Sequence, residues 1–275
     1  MNPKSSSIFH PPSSIRKRIG VFDSGLGGLT VVRSIREALP GAEILYLADT
    51  AHSTYGEKIH EEIRRYSLEI ARFFVEEQRA DALVVACNTA TSAAITALRE
   101  RYGDLPIVGT EPGVKPALSE TQTGKIGVMA TPATLAGEKY QALVDRLCGT
   151  REVELFERAC PGLAERIEAG EINTPETRAM LEEWLSPMRN AGVDTIVLGC
   201  THYPLAAEVI RQVMGTPVTL IETGEAIARR LAMLLGEQPA KEPGHLRIFA
   251  TGPIDEAAVE RIVGEKVDLE VRIEN

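Results

Sequence analysis

The chain has 275 residues, of which 44% are hydrophobic and 25% charged, close to the composition of an average globular protein. That length suits one large domain or two ordinary ones and excludes a small scaffold stapled by disulfides or metal. Lys and Arg number 30 against 39 Asp and Glu, and the net charge of −9 argues against a nucleic-acid-wrapping protein. One pocket in an acidic chain can still hold an anion.

Residues 1–18 are rich in Ser and Pro and end in Arg16-Lys17-Arg18. They lack the apolar core of a signal peptide, and no apolar run in the chain reaches the roughly 18 residues of a membrane span. The segment reads as a disordered tail on a cytoplasmic protein, with a basic docking arm as the alternative.

From Ile19 onward, short β-branched runs alternate with longer amphipathic ones. Strands are expected at 19–22, 44–47, 82–86, 107–109, 126–129, 195–198, 218–221 and 246–250. A helical stripe runs through Ile59, Ile63, Tyr66, Ile70 and Phe73. Further helices are expected at 90–101 and 204–214, and Thr174-Pro175 reads as an N-cap opening a helix to about residue 190. Strand–helix alternation implies parallel sheets covered on both faces.

A faint internal repeat runs through these elements. DALVVAC (81–87) parallels DTIVLGC (194–200) at an offset of 113, and Ile19-Gly20-Val21 parallels Ile126-Gly127-Val128 at 107. Pro106–Gly113 parallels Pro217–Gly224 at 111, so three matches keep the same order. The fold class expected is α/β, with two related doubly wound parallel-sheet domains and the active site in the cleft between them. The first domain takes 19–110 plus 224–275, and the second takes 111–223. Crossovers at Glu111-Pro112-Gly113 and Glu222-Thr223-Gly224 serve as hinges, because Pro and Gly punctuate them.

Functional groups of parallel α/β units collect at the carboxyl ends of strands. Cys87 and Cys200 each stand just past a strand and before a helix, where unpaired N–H groups favour a thiolate. Across a cleft, two thiols can transfer protons on opposite faces of one carbon, one removing and the other delivering. The competing reading makes each a small buried hydrophobe. Cys148 and Cys160 lack the strand-end setting and are read as structural. Without a C-x-x-C pair in the chain, a disulfide framework is not expected.

Asp23-Ser24-Gly25-Leu26-Gly27-Gly28 joins the first strand to a helix starting near Leu29. Its glycines would let the backbone approach a ligand, and the helix end would favour an anion. Either Asp23 or Ser24 could instead simply cap the helix. The loop has neither a dinucleotide fingerprint nor a P-loop lysine. His202 could share the Cys200 proton; a Cys-x-His zinc site is the other option, but it lacks a partner pair.

These stretches together are what identify a family. IGVFDSGLGGLTVVRSI, YGEK, ACNTAT, EPGVKPA, ATPATL, LGCTHYPL and FATGPIDE span nearly the whole chain from Ile19, and the sequence resembles the glutamate racemases of the aspartate/glutamate racemase superfamily. The resemblance implies a cofactor-independent isomerase that interconverts L- and D-glutamate and supplies D-glutamate to peptidoglycan. It makes Cys87 the base for the D-enantiomer, assisted by Asp23, and Cys200 the base for the L-enantiomer, assisted by His202. Glu168, in CPGLAERIE, matches the family's supporting glutamate. Substrate binding falls to Asp23, Ser24, Tyr55, Gly56, Asn88, Thr89, Thr134, Thr201 and His202, with no metal. The expected partner is glutamate alone, with neither nucleic acid nor membrane; a homodimer is admitted, not required.

The chain departs from the family pattern in reading Thr54 before Tyr55-Gly56 where proline is usual, and Glu222-Thr223-Gly224 where D-S-G is familiar. An aspartate or other amino-acid racemase of the same superfamily remains an alternative. From other classes, so do a two-domain amino-acid-binding protein and a Cys200–His202 thiol hydrolase, which would leave Cys87 idle.

Overall fold

The computed structural model describes residues 16–148, 153–236, 242–266 and 268–271. Most of the expected tail lies outside the described residues. The basic triplet that closes it does not float free. Arg18 is the first residue of a strand, its N–H donates to Asp81 at 2.8 Å, and its guanidinium meets Glu43 at 3.0 Å. Lys17 pairs with Asp81 and Arg16 with Glu242, so local acidic groups take the charge a docking arm would offer.

Ten strands are present among the described residues: β1 (Arg18–Asp23), β2 (Glu43–Ala48), β3 (Ala82–Val85), β4 (Ile107–Gly109), β5 (Lys125–Ala130), β6 (Glu154–Ala159), β7 (Thr195–Gly199), β8 (Thr219–Ile221), β9 (Leu246–Ala250) and β10 (Asp268–Val271). The helices are α1 (Leu29–Ala38), α2 (His60–Arg72), α3 (Asn88–Arg101), α4 (Val114–Glu120), α5 (Pro132–Leu135), α6 (Glu138–Cys148), α7 (Leu163–Glu168), α8 (Pro175–Ala191), α9 (Ala207–Met214), α10 (Gly224–Leu235) and α11 (Glu256–Val263). All strand pairs are parallel, in a six-stranded sheet β10-β9-β2-β1-β3-β4 and a four-stranded sheet β6-β5-β7-β8.

Alternation along each strand builds the layers. Val84 joins Ile19, Val21, Leu29 and Leu231 on one face of the larger sheet, while Leu83 and Val85 join Phe22, Ile63 and Leu98 on the other. In the smaller sheet Val197 packs with Val114 and Tyr140, and Ile196 and Leu198 pack with Leu181, Trp184 and Val209. The stripe is buried from Ile63 on α2 to Phe73 just past its end, but Ile59 precedes the helix and is 65% exposed. Thr174 caps α8, its hydroxyl accepting from the Thr177 N–H at 3.3 Å, with Pro175 as the first helical residue.

The repeat is topological. The order β2-β1-β3-β4 recurs as β6-β5-β7-β8, and Ile19 opposite Ala82 recurs as Ile126 opposite Thr195, which keeps the offsets of 107 and 113. The third match needs correction. Leu83 faces Ile107, and its counterpart Ile196 faces Leu220, so β4 and β8 correspond at 113 rather than 111. A two-residue slip keeps the same face inward, so hydrophobic pattern alone does not reveal it.

Both strands absent from the sequence reading, β6 and β10, lie at sheet edges. In β6, ELFERA, no residue is fully buried, so the apolar signature of a parallel strand is missing. This overturns one expectation: Cys160 follows β6 directly and does occupy a strand end.

Candidate active site

The carboxyl ends of β1, β3, β6 and β7 converge on one cavity between the two sheets. Cys87, Cys200 and Cys160 all line it, together with Ser24, Tyr55-Gly56, Asn88-Thr89 and Thr201-His202. Asp23, Glu168 and Thr134 are not part of this lining but contact residues that are: Thr201, His202 and Thr89.

Cys87 is the N-cap of α3, and its sulfur accepts from the Ala90 N–H at 3.4 Å. The expected thiolate does not follow. Burial pushes the Cys87 thiol well above its usual range, and the Asp23 carboxylate pushes the same way, outweighing the Ala90 N–H. Asp23 is itself fully buried at the end of β1, and burial raises its carboxyl. Its Oδ2 accepts from the Gly28 N–H at 2.6 Å and the Thr201 hydroxyl at 3.0 Å, while Oδ1 has no partner. The N-cap of α1 is Gly28, so neither Asp23 nor Ser24 is the capping residue.

Cys200 has a different setting. The segment after it is a 3-10 turn, Tyr203–Ala206, and α9 begins only at Ala207, so no α-helix N-terminus reaches the sulfur. Instead the sulfur lies 3.6 Å from His202 Nδ1, and His202 Nε2 lies 2.7 Å from Glu168 Oε1. Burial opposes charge on this imidazole, but the contacts with Cys200 and Glu168 outweigh it and hold its pKa well above the ordinary histidine value. Glu168 is opposed by burial too, yet His202 and the Leu26 N–H at 2.8 Å keep its carboxyl below the usual range. Both His202 nitrogens are thus engaged. Among the described residues no group of three His, Cys, Asp or Glu side chains is disposed to hold a metal ion.

The loop glycines also permit a close approach within the protein. A Cβ on Gly25 would sit 1.8 Å from Glu168 Oε1, and one on Gly27 would sit 2.6 Å from His202 Nδ1 and Thr201 Oγ1. Their bare backbones let the first sheet's loop press against the second sheet's acid–base pair.

The rest of the lining is rich in hydroxyls. Thr89 Oγ1 lies 3.1 Å from Thr131 Oγ1 and 3.4 Å from Thr134 Oγ1. Asn88 is buried with neither side-chain polar atom partnered, as a group reserved for a ligand would be. Among the described residues no Lys or Arg lines the cavity; its charged lining residues are Glu57, Glu165 and His202. Thr131 and Glu165 escaped the sequence reading. Thr131 carried a usable signal, since Thr131-Pro132 after a strand is the same N-cap pattern as Thr174-Pro175. Glu165 accepts from the Thr54 hydroxyl, a contact a proline there could not make.

The chain is similar to known proteins along most of its length. Residues 19–231 match the family model for Asp/Glu/hydantoin racemases. The glutamate racemase of Sulfurovum sp. (strain NBC37-1) is 56% identical over 250 residues, covering 90% of this chain and 94% of its own. Glutamate racemase from Escherichia coli, solved with L-glutamate and the activator UDP-MurNAc-Ala, superposes with a TM-score of 0.82 at 32% identity, covering 94% of this chain and 99% of that one. The enzyme from Francisella tularensis, solved with D-glutamate, gives 0.80 at 27% identity over 93% and 97%.

Proposed function

The chain belongs to the Asp/Glu/hydantoin racemase family, and from that premise we propose that it interconverts L- and D-glutamate by two-base proton transfer between Cys87 and Cys200. One observation carries the reading: two cysteines at equivalent strand ends of an internal repeat line a single cavity. It is an isomerase of the amino-acid racemase class, and the mechanism draws on side chains of this chain alone.

With D-glutamate bound, Asp23 takes the proton that burial keeps on Cys87, and the thiolate so formed removes the α-proton, leaving a planar carbanion. The Cys200 thiol then delivers its proton to the opposite face, forming L-glutamate. The enzyme is left as Cys87 thiol and Cys200 thiolate. His202 then supplies a proton to Cys200, and loss of the Asp23 proton to solvent with uptake of one by His202 restores the starting form. An imidazolium beside Cys200 stabilises that thiolate directly, and a buried carboxylate with a free Oδ1 can receive the Cys87 proton.

With no lysine or arginine among the described lining residues, the substrate carboxylates fall to hydroxyls and backbone N–H groups around Ser24, Tyr55-Gly56, Asn88-Thr89, Thr131 and Thr201, with Thr134 supporting Thr89 and Thr131. We place the domain boundaries at 111 and 223, where β4 leads to α4 and β8 to α10. No described helix is long and apolar enough to cross a membrane. A cytoplasmic enzyme feeding D-glutamate to peptidoglycan, with no nucleic-acid partner and a homodimer as its simplest assembly, completes the proposal.

Circular dichroism of each pure amino-acid enantiomer tests the substrate. Glutamate should lose its signal far faster than aspartate or alanine. Comparable turnover of aspartate would move the enzyme to another member of the superfamily.

A further inference from the structure

Asp49, just past β2, is 1% exposed and takes no part in the proton transfer described above. Its Oδ1 accepts from the Thr251 hydroxyl at 2.7 Å and faces His52 Nδ1 at 2.9 Å. Its Oδ2 accepts from the Tyr55 hydroxyl and lies 3.1 Å from the same His52 nitrogen. A carboxylate buried this deeply persists only with its lone pairs satisfied. His52 is in turn held flat on Tyr66, with ring centroids 3.9 Å apart, and Arg65 covers the other ring at 4.7 Å.

Tyr55 is the member of this cluster that reaches the active site. Its ring is buried among Phe22, Leu47, Ile63 and Cys87, and it lines the cavity with Gly56. Burial and the Asp49 charge hold its phenol well above the usual tyrosine range, so the hydroxyl remains a donor committed to Asp49. Gly56 follows directly, and a Cβ on it would meet Thr131 of the opposite sheet at 3.4 Å. The height of this turn over Cys87 is therefore set from below by one hydrogen bond and from above by close packing. The repeat underlines the point. With Ile44 and Leu155 as counterparts opposite Ile19 and Ile126, the counterpart of Asp49 is Cys160, which faces the cavity directly.

We propose that Asp49 is a positioning residue for substrate binding, acting through the Tyr55 hydroxyl to set the Tyr55-Gly56 turn against the ligand. The inference rests on the glutamate racemase reading above. The test uses Asp49→Ala and Tyr55→Phe, singly and together, with KM and kcat measured from both glutamate enantiomers and Tm recorded alongside. Each single variant should raise KM about ten-fold while kcat stays within about three-fold. The double variant should be no worse than Asp49→Ala, because both changes remove the same link. Multiplying effects would overturn the proposal, as would a loss confined to Tm and kcat. Tyr55→Phe keeps the ring and removes only the hydroxyl, so a parental KM there defeats the proposal even if Asp49→Ala fails to fold. Failure of the unmodified enzyme to racemise glutamate would instead defeat the parent reading.

Discussion

The Cys87 and Cys200 halves of the site share a backbone plan and differ in their charges. At the repeat offset of 113, Cys87-Asn88-Thr89 corresponds to Cys200-Thr201-His202, and at 107 Asp23 corresponds to Ala130. One thiol therefore has a buried carboxylate beside it and a threonine two residues on. The other has an alanine where the carboxylate would be and an imidazole two residues on. The repeat brings two strand ends to one cavity, and different residues at two positions give the two sulfurs unlike neighbours. That suits a two-base mechanism, in which one sulfur must hold a proton while the other lacks it.

The halves also interlock. Asp23 accepts from Thr201, while Glu168 holds both Leu26 and His202, so each half's polar group is fixed by the other's loop. Perturbing one partner should consequently affect both directions of reaction. The enantiomers have equal free energy in water, so kcat/KM must fall equally for L and D, and any asymmetry has to show in isotope effects. Asp23→Asn and Glu168→Gln should each lower kcat/KM about 10- to 100-fold. With Glu168→Gln, the primary deuterium effect should grow more from α-deuterated L-glutamate, the substrate of Cys200. With Asp23→Asn it should grow more from the D-enantiomer. Equal growth in both variants would erase the proposed division of labour.

A smaller effect concerns stability. The folded-state pKa of His202 is raised, so its contribution is fully present below about pH 6.5 and is lost as pH rises through the raised value. The Glu168 value is lowered, so its contribution is present above about pH 4.5 and is lost as pH falls through the lowered value. Thermal melts should show Tm falling from neutral into alkaline solution, and Glu168→Gln should flatten that fall. An unchanged slope would mean the pair is not ionised as described.

The smallest expected effect lies at the cavity mouth, where Thr54 donates to Glu165 and Ser53 to Glu168 at 3.4 Å, joining the first sheet's loop to α7. Removing the hydroxyl in Thr54→Val should quicken alkylation of Cys87 and Cys200 by iodoacetamide in the free enzyme about two- to five-fold, followed by mass spectrometry. An unchanged rate would show that this contact does not limit access to the thiols.

The central strands and the two cysteines were legible because a buried parallel strand must be apolar and the residue after it is conspicuous. Cys160 was misjudged for the same reason, since its strand, ELFERA, lies at an edge and carries charge. The thiol state of Cys87 was also out of reach. Spacing places its sulfur at a helix end, but burial and Asp23 decide the proton, and both arise only when the sheets meet. The loop glycines were visible as glycines, whereas their neighbours, Glu168 and His202, lie more than a hundred residues away in the chain.

The most direct test of the two-cysteine account uses a glutamate analogue with a leaving group on the β-carbon, which eliminates as soon as the α-proton is removed. Cys87→Ala should release the leaving group from the L-analogue alone, and Cys200→Ala from the D-analogue alone. Neither variant should racemise glutamate, with rates at least about a thousand-fold below the parent. Near-parental racemisation by either variant, or elimination from both enantiomers of the analogue, would contradict the account.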